Sequence, residues 1–228
     1  CDTLITDCPY SARTHGGHDS LKSKHGHRRA IDYTGWTPED VCDFATFFAP
    51  RVRGWWVSIT DHVLAPVWAD AMAAQGLYVF APLPWVAHGS RVRLAGDGPS
   101  SWTCWIIVAR PRCLPFSRWG TLRGAYLVGA RNHGTHRHNA TQPVVGAKPL
   151  ALMRALVRDY SRPGDVICDP CAGGGTTLRA AQLEGRNGIG SEMDPETHAK
   201  AAERLAQPFT PPLLVDAPAP EQMTIGDQ

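Results

Sequence analysis

Short apolar runs alternate with helix-period segments along the first half of the chain. Thr3–Thr6 predicts a first strand, and the capping-box pattern at Thr37–Asp40 predicts the start of a helix. Trp55–Ile59 and Leu77–Leu83 predict two further strands, with a helix over Val63–Gln75 between them. Strands that alternate with helices in this way indicate an α/β sheet.

The same alternation returns towards the end of the chain. Trp102–Ala109 predicts a strand that could pair back on Val86–Leu94 as a hairpin, and Lys148–Pro149 precedes a helix that ends before Arg162–Gly164. The remaining predicted elements are a strand over Asp165–Cys168, a helix over Thr176–Glu184, a strand over Asn187–Ser191 and a helix from Asp194 to about Leu205.

Two segments lack apolar periodicity. Ser11–Thr34 is rich in Gly, His, Lys and Arg and predicts a long surface loop, while Arg, Gly, His and aromatic residues dominate Pro111–Gly146. Loops of this length are usually functional or disordered.

Composition places the chain among ordinary globular proteins. It has 228 residues, 43% of them hydrophobic and 19% charged, which suits one domain over residues 1–228. There is no apolar run of about 18 residues and no secretion signal, so we predict a cytoplasmic protein without membrane contact. Seven scattered cysteines favour reduced thiols over a disulfide framework.

Charge is unevenly distributed although the net charge is only +2. No acidic residue lies between Asp97 and Asp159, whereas that stretch holds nine basic residues. Such segregation is expected of a surface that meets phosphates, and a solvated basic surface is the alternative.

A glycine-rich turn over Asp169–Thr177 lies between a predicted strand and helix, and Glu192 follows 23 residues after Asp169. Glycines let a nucleotide approach the backbone, and an acid at this distance can bind ribose hydroxyls. Leu178 occupies the position of a third dinucleotide-fingerprint glycine, and no Gly-Lys-Ser/Thr follows. A cofactor with an adenosine ribose but no pyrophosphate remains, which indicates S-adenosylmethionine (SAM).

Cys168 and Cys171 also have the spacing of a redox or zinc pair. A zinc site needs a second pair of ligands, for which His136 and His138 are the nearby candidates. We predict no metal site and place Cys168 at a strand end.

A second motif, Asp7-Cys8-Pro9-Tyr10, follows the first strand. An exocyclic amino group is a poor nucleophile until hydrogen-bond acceptors on its N–H groups favour the pyramidal form. Asp7 and the Cys8 carbonyl could supply those acceptors, and Tyr10 could stack on an extruded base. An ordinary turn at a strand end is the alternative.

Together the motifs resemble the SAM-dependent amino-methyltransferases, whose signatures are Asp/Asn/Ser-Pro-Pro-Tyr/Phe/Trp and Asp-Pro-Phe-x-Gly-x-Gly-Thr-Thr. Their order is similar to that of the beta class of DNA N6-adenine and N4-cytosine enzymes. Lys148-Pro-Leu, Arg162-Pro-Gly-Asp165 and Gly188–Glu196 match as well, so the resemblance covers essentially the whole chain.

The resemblance implies a doubly wound, mostly parallel Rossmann-like sheet with one antiparallel strand, which we place at Trp102–Ala109. The catalytic and SAM turns should lie side by side at the carboxyl ends of adjacent strands. Asp7, Cys8, Pro9 and Tyr10 would act on the base. The residues implied for SAM, and for its product S-adenosylhomocysteine, are Asp169, Cys171, Gly173, Gly175, Thr176, Thr177 and Glu192, with Lys148 nearby.

DNA is the expected partner of a monomer or homodimer. We expect the loop over Ser11–Thr34 to close on DNA, a disordered loop or a histidine metal cluster being the alternatives, and Pro111–Gly146 to recognise a short or loose target. The basic residues predicted to bind DNA are Arg13, Lys22, Lys24, Arg28 and Arg29 in the first segment and Arg112, Arg118, Arg123, Arg131 and Arg137 in the second.

The expected activity is methylation of adenine N6 in DNA. Adenine is preferred over cytosine N4 because a serine in place of Asp7 tends to accompany N4-cytosine activity in the beta class. An RNA or protein-amide methyltransferase and an inactive DNA-binding relative are the alternatives.

This sequence departs from the family pattern at three places. Cys8 replaces the first proline, Cys171 replaces the usual phenylalanine, and the chain starts almost directly on the catalytic strand. We expect a vacant edge beside the strand that enters the SAM turn, and we suggest that Gln222–Asp227 folds back to occupy it as a circular permutation. A proline-rich disordered tail on an N-terminally trimmed chain is the alternative.

Overall fold

The computed structural model of the protein describes residues 1–14, 34–88, 99, 101–113, 119–129, 144 and 146–209. Within these residues the chain forms a seven-stranded sheet with helices on both faces. The strands are β1 (Thr3–Thr6), β2 (Trp56–Thr60), β3 (Tyr78–Val79), β4 (Leu83–Val86), β5 (Thr103–Arg110), β6 (Val166–Asp169) and β7 (Asn187–Gly190). The helices are α1 (Pro38–Phe48), α2 (Ala65–Ala74), α3 (Leu150–Tyr160), α4 (Thr176–Leu183) and α5 (Pro195–Ala206), with a 3₁₀ turn over Ala49–Arg51.

The strands run in the order β3-β5-β2-β1-β6-β7, and β4 pairs with the same edge of β5 as β3 does. β2, β1, β6 and β7 are parallel to one another, whereas β5 is antiparallel to β2. The predicted mostly parallel α/β sheet and the predicted antiparallel strand are therefore confirmed.

Alternate residues of the buried strands pack on opposite helical layers, as the two-residue period of a strand requires. Ile5 of β1 packs in the core that includes Leu152 of α3 and Ala180 of α4. Its neighbour Leu4 packs in the core that includes Val41 of α1 and Trp68 of α2. Two helical layers thus cover the sheet, which is the doubly wound arrangement that was expected.

The helix starts follow from local hydrogen bonds at their first residues. The predicted capping box of α1 is confirmed, since Thr37 and Asp40 bond to each other's backbone N–H groups. Asp194 caps α5 by accepting a hydrogen bond from Thr197 N at 2.9 Å.

The strand predicted over Leu77–Leu83 is instead two short strands, β3 and β4. Val79 pairs with Ala109 and Leu83 pairs with Ile106, so three residues on this strand oppose two on β5. The extra residue is a β-bulge, and Pro82 contributes to the interruption because it has no N–H for the ladder. The hairpin partner of β5 accordingly begins at Leu83, before the predicted Val86–Leu94.

Part of the segment predicted to lack order packs on the sheet. Tyr126 is 2% exposed and exchanges backbone hydrogen bonds with β4, from Val86 N to Tyr126 O at 2.8 Å and from Tyr126 N to Pro84 O at 2.9 Å. Trp85 Nε1 donates to Val128 O at 2.9 Å. This region therefore extends the sheet edge beside β4, which the weak periodicity of the sequence did not indicate.

The predicted vacancy beside the strand that enters the glycine-rich turn is wrong. That strand, β6, is paired on both edges, with β1 on one side and β7 on the other. Gln222–Asp227, suggested as the occupant, lies outside the described residues.

No helix among the described residues is long and apolar enough to cross a lipid bilayer.

Candidate active site

The Asp7 turn and the glycine-rich turn lie side by side, as expected. They follow β1 and β6, which are neighbouring parallel strands with Leu4 opposite Cys168. Thr6 Oγ1 donates a hydrogen bond to Asp169 Oδ1 at 2.9 Å, so the end of one strand is bonded directly to the end of the other. This contact fixes the spacing between the two turns.

Asp7 keeps one free acceptor within this site. Lys148 Nζ bonds to Asp7 Oδ2, but Asp7 Oδ1 is buried and has no hydrogen-bond partner among the described residues. Burial raises the pKa of the Asp7 carboxyl, and the nearby Lys148 ammonium opposes that rise. A buried acceptor without a donor is costly unless a ligand supplies one. The Asp7 site is therefore suited to accept an N–H group.

Lys148, predicted to lie near the cofactor, bonds to the catalytic turn, which is next to the glycine-rich turn. Besides its ion pair with Asp7, its ammonium is 4.9 Å from the centroid of the Tyr10 ring. The Tyr10 hydroxyl is also buried, with no partner in full hydrogen-bond geometry among the described residues, but it lies near Asp7 and Cys104, and burial together with these two neighbours raises its pKa. Lys148 thus contacts both predicted base-binding side chains.

The two cysteines that depart from the family signature are in contact. Cys171 Sγ lies 3.4 Å from Cys8 Sγ, so the cofactor turn and the catalytic turn meet at these sulfur atoms. Burial raises the pKa of the Cys8 thiol well above its usual value. Cys168 lies in β6, one residue before Asp169.

The glycine-rich turn depends on two residues with positive φ, Gly173 at +50° and Gly175 at +70°. Gly175 was expected to leave room for the cofactor. A Cβ there would instead meet the Ala201 Cβ of α5 at 3.3 Å, so this glycine makes room for a helix. Among the described residues nothing lies within 4 Å of a Cβ built at Gly173, and this is where the backbone can be approached.

Three predicted cofactor residues hold the turn together from inside. Asp169 is 1% exposed, and its Oδ1 accepts from Cys171 N at 3.1 Å as well as from Thr6. The buried Thr177 hydroxyl also bonds to Asp169, and Thr176 Oγ1 accepts from Arg204. Burial raises the pKa of Asp169 to about 6, although these hydrogen bonds favour the charged carboxylate and oppose the rise. Their side chains therefore shape the turn and are not free for a ligand.

Glu192 lies just beyond β7 and is partly exposed. Its Oε1 accepts a hydrogen bond from Asp194 N at 2.9 Å. The backbone before it is tied to the glycine-rich turn, because Ala172 N donates to Ser191 O at 2.9 Å. Glu192 thus presents a carboxylate at the rim of the same site.

Glycines in β7 bring that rim close to α4. A Cβ at Gly190 would lie 2.8 Å from Asp169 O and 2.9 Å from Leu178 Cδ1. Leu178, which occupies the position of the third glycine in a dinucleotide fingerprint, therefore packs against β7.

Sequence reasoning missed three residues that support the site. Trp36 N donates to Tyr10 O at 3.0 Å, Arg204 Nη1 donates to Gly174 O at 3.0 Å, and Asp61 accepts hydrogen bonds from Ser11 and Thr14. The position of Asp61 between a predicted strand and a predicted helix was a usable signal, since aspartate is a favoured helix cap.

The predicted DNA-binding residues that the structure describes do not share one surface. Arg13 is exposed next to the catalytic turn. Arg112 follows the carboxyl end of antiparallel β5, which places it at the opposite end of the parallel strands from Asp7. Arg123 is bound to Asp159 near the end of α3, at 2.7 and 2.8 Å to its two oxygens. The positions of Arg112 and Arg123 argue against the predicted role, and Lys22, Lys24, Arg28, Arg29, Arg118, Arg131 and Arg137 lie outside the described residues.

Comparison with known proteins adds a family and a fold. A family model described as DNA methylase matches residues 56–203, which include the glycine-rich turn and Glu192 but not the Asp7 turn. The chain is 36% identical over 145 residues to the type II methyltransferase M.XycI of Xanthomonas campestris pv. cyanopsidis, covering 60% of this chain and 48% of that protein. It therefore spans about half the length of this relative.

Two solved structures share the fold. The M1.HpyAVI–SAM complex superposes with a TM-score of 0.62 at 23% identity, covering 90% of this chain and 89% of the other. The PvuII DNA methyltransferase, described as cytosine-N4-specific, gives a TM-score of 0.66 at 15% identity, covering 90% and 79%.

Proposed function

The chain belongs to the N6/N4 DNA methylase family, and we propose that it transfers a methyl group from SAM to the exocyclic amino nitrogen of a base in DNA, adenine N6 in particular. One observation carries this proposal. A buried, unpaired acceptor, Asp7 Oδ1, lies beside a glycine-rich turn on the neighbouring strand.

The chain's own groups fit a bound SAM molecule. Gly175 is the N-cap of α4, and no side chain caps the backbone N–H groups of the first turn of this helix. Gly173 leaves the backbone open on one side, and the Glu192 carboxylate is suited to ribose hydroxyls. When bound, SAM supplies a methyl group on a sulfonium centre.

Asp7 and Tyr10 would act on the acceptor base. Asp7 Oδ1 accepts one N–H of the amino group, which favours the pyramidal nitrogen whose lone pair can attack. The Tyr10 ring provides an aromatic face on which an extruded base can stack. Lys148 can keep its bond to Asp7 Oδ2 in this arrangement, because the substrate N–H is accepted at Oδ1.

Adenine is proposed as the base on the strength of Asp7 in the catalytic motif. Cytosine N4 is the second candidate, because the PvuII enzyme that shares this fold is described as cytosine-N4-specific. Both bases present an amino group on a ring carbon, so the unpaired Asp7 oxygen is compatible with either.

We also propose that the loop over residues 11–34 contacts DNA phosphates beside the catalytic turn, and that residues 111–146, apart from Arg112 and Arg123, contribute to target recognition. The ends of the loop support its assignment, since Thr14 bonds to Asp61 and Trp36 N bonds to Tyr10 O. Deleting Lys22–Arg29 should weaken DNA binding and flatten its dependence on salt, measured by fluorescence anisotropy. Unchanged affinity and salt dependence would contradict the assignment.

The activity can be tested with SAM labelled in its methyl group, offered with DNA from a strain that lacks amino-methylation, with RNA, and with protein. We expect label only in DNA, and N6-methyladenine on nucleoside mass spectrometry. Label in RNA or protein alone would contradict the DNA assignment, and N4-methylcytosine alone would overturn the choice of base. Transfer by an Asp7→Ala variant at the wild-type rate would show that the activity comes from elsewhere.

A further inference from the structure

Asp61 is a buried carboxylate outside both motifs. It directly follows β2, which pairs with the catalytic strand β1, and it is 5% exposed. A carboxylate this deeply buried normally has several donors to compensate its lost hydration. The donors of Asp61 come from two different parts of the molecule.

The two oxygens of Asp61 accept hydrogen bonds from different segments of the chain. Oδ1 accepts from Val63 N at 3.0 Å and Leu64 N at 2.9 Å, which stabilises the turn that leads into α2. Oδ2 accepts from Ser11 N at 3.0 Å and from the hydroxyls of Ser11 and Thr14. One oxygen therefore stabilises the turn before a helix, and the other holds the residues that follow the catalytic turn.

The donors also keep Asp61 ionised. Burial favours the neutral acid, but the hydrogen bonds from Ser11, Thr14 and Leu64 outweigh it and lower the pKa of Asp61. Hydrogen bonds to a charged acceptor are stronger than neutral ones. The contact with Ser11 and Thr14 is thus a strong anchor.

Two hydrogen bonds hold the backbone at and directly after Tyr10. Its next residue, Ser11, is bound to Asp61, and its own carbonyl accepts from Trp36 N. Because β1 and β2 are adjacent, Asp61 fixes the catalytic turn to the neighbouring strand.

We propose that Asp61 is a positioning residue for methyl transfer, which holds Ser11 and Thr14 so that Tyr10 is oriented for the base. The proposal rests on the proposed function in one respect, that Tyr10 contacts the base. It predicts that loosening the anchor impairs use of DNA and leaves SAM binding intact.

The informative variant removes the donors and leaves the acceptor. A Ser11→Ala/Thr14→Val double variant deletes two hydroxyls but keeps the bonds of Asp61 to the turn that leads into α2. Thr14→Ser keeps the hydroxyl and serves as the conservative rescue. Ser161→Ala is the matched control, because Ser161 is a buried hydroxyl with two hydrogen bonds at the other end of the sheet, to Val157 O and from Arg186 Nε.

Amide hydrogen exchange tests the anchor without relying on activity. In the double variant we expect faster exchange over residues 7–14 and unchanged exchange over α2. Asp61→Asn should accelerate exchange in both regions, because it disturbs both sets of donors. Wild-type exchange over residues 7–14 in the double variant would overturn the proposal.

Steady-state methylation of unmethylated DNA then tests the consequence. We expect kcat/KM for DNA to fall about 10- to 100-fold in the double variant, as for a misplaced reacting group, with an unchanged SAM Kd by calorimetry. Thr14→Ser and Ser161→Ala should retain the wild-type value. A double variant whose SAM affinity falls in parallel would overturn the proposal, since it would indicate general loss of structure.

The two proposals fail in different ways. If wild-type protein methylates no DNA while exchange over residues 7–14 still rises selectively, the proposed function fails and the anchor stands. If wild-type protein is active and the double variant has both normal exchange and normal kcat/KM, the function stands and Asp61 has no positioning role.

Discussion

Replacing Asp169 with asparagine should make the folded protein more stable at neutral pH. Burial raises the pKa of Asp169 to about 6, whereas the ordinary value is 3.8. The folded protein therefore holds this proton over a pH range in which the unfolded chain has released it. Stability contributed at this site is present below about pH 4 and is lost as the pH rises towards 6.

The size of the effect follows from the pKa difference. A difference of about two units corresponds to about 3 kcal/mol at most, at 1.36 kcal/mol per unit. Asparagine removes the charge but retains an oxygen that can accept from Thr6 and Cys171 N. Asp169→Asn should match the wild type near pH 4 and exceed its Tm by roughly 6–12 °C above pH 7.

Urea denaturation followed by tryptophan fluorescence, repeated from about pH 4 to about pH 8, measures this difference. Asp70→Asn, at an exposed position of α2, controls for the loss of one negative charge. A stability difference between Asp169→Asn and the wild type that stays constant with pH, or that grows towards acid, would refute the reasoning. SAM affinity should fall in the same variant, because the ionised carboxylate lies beneath the turn proposed to bind a cationic cofactor.

Three further substitutions test the site. Asp7→Ala should abolish methyl transfer with little change in the SAM Kd measured by calorimetry, and normal turnover would contradict its role. Lys148→Met removes the cation that opposes the raised pKa of Asp7, so that pKa should rise further. The methylation rate of the Lys148→Met variant should therefore be below that of the wild type at neutral pH and recover as the pH increases. A pH–rate profile identical to that of the wild type would contradict this. Gly175→Val should lower the free energy of unfolding by about 1–3 kcal/mol, and with it the Tm, because residue 175 has a positive φ and a side chain there would contact Ala201. An unchanged Tm would count against this packing.

The two motifs were predictable from sequence because each is a local strand-to-turn unit. Asp7–Tyr10 follows an apolar run, and Asp169–Thr177 joins a strand to a helix, so their place at strand ends needs no long-range information. Their adjacency followed from the resemblance and is confirmed by the pairing of β1 with β6.

The partners of the charged side chains could not be predicted in the same way. Lys148 bonds to Asp7 from 141 residues away, and Thr6 bonds to Asp169 across 163 residues. Such contacts depend on how the helices pack on the sheet, which the local pattern does not encode. The bond between Lys148 and Asp7 was consequently not predicted.

The positions of the basic residues between Asp97 and Asp159 also depend on the tertiary fold, which the local sequence pattern does not encode. Residues that are close in sequence reach opposite ends of the sheet, because β5 runs antiparallel and carries Arg112 away from the catalytic turn. Arg154 and Arg158 both bind Glu184, an acid beyond the segment itself. The described members of this run without acidic residues therefore do not form one basic surface.

Three adjacent parallel strands have an aspartate at or directly after their carboxyl ends, namely Asp61 after β2, Asp7 after β1 and Asp169 at the end of β6, and their hydrogen bonds separate the roles of these residues. Asp61 accepts from backbone and hydroxyl donors at both oxygens. Asp169 accepts from Thr6, Thr177 and a backbone N–H, all within the protein. Among the carboxylates of the described residues, Asp7 alone has a buried oxygen without a donor. A substrate N–H can therefore be accepted at Asp7 without displacing an internal donor, whereas at Asp61 or Asp169 it would have to compete with the bonds that hold the two turns in place.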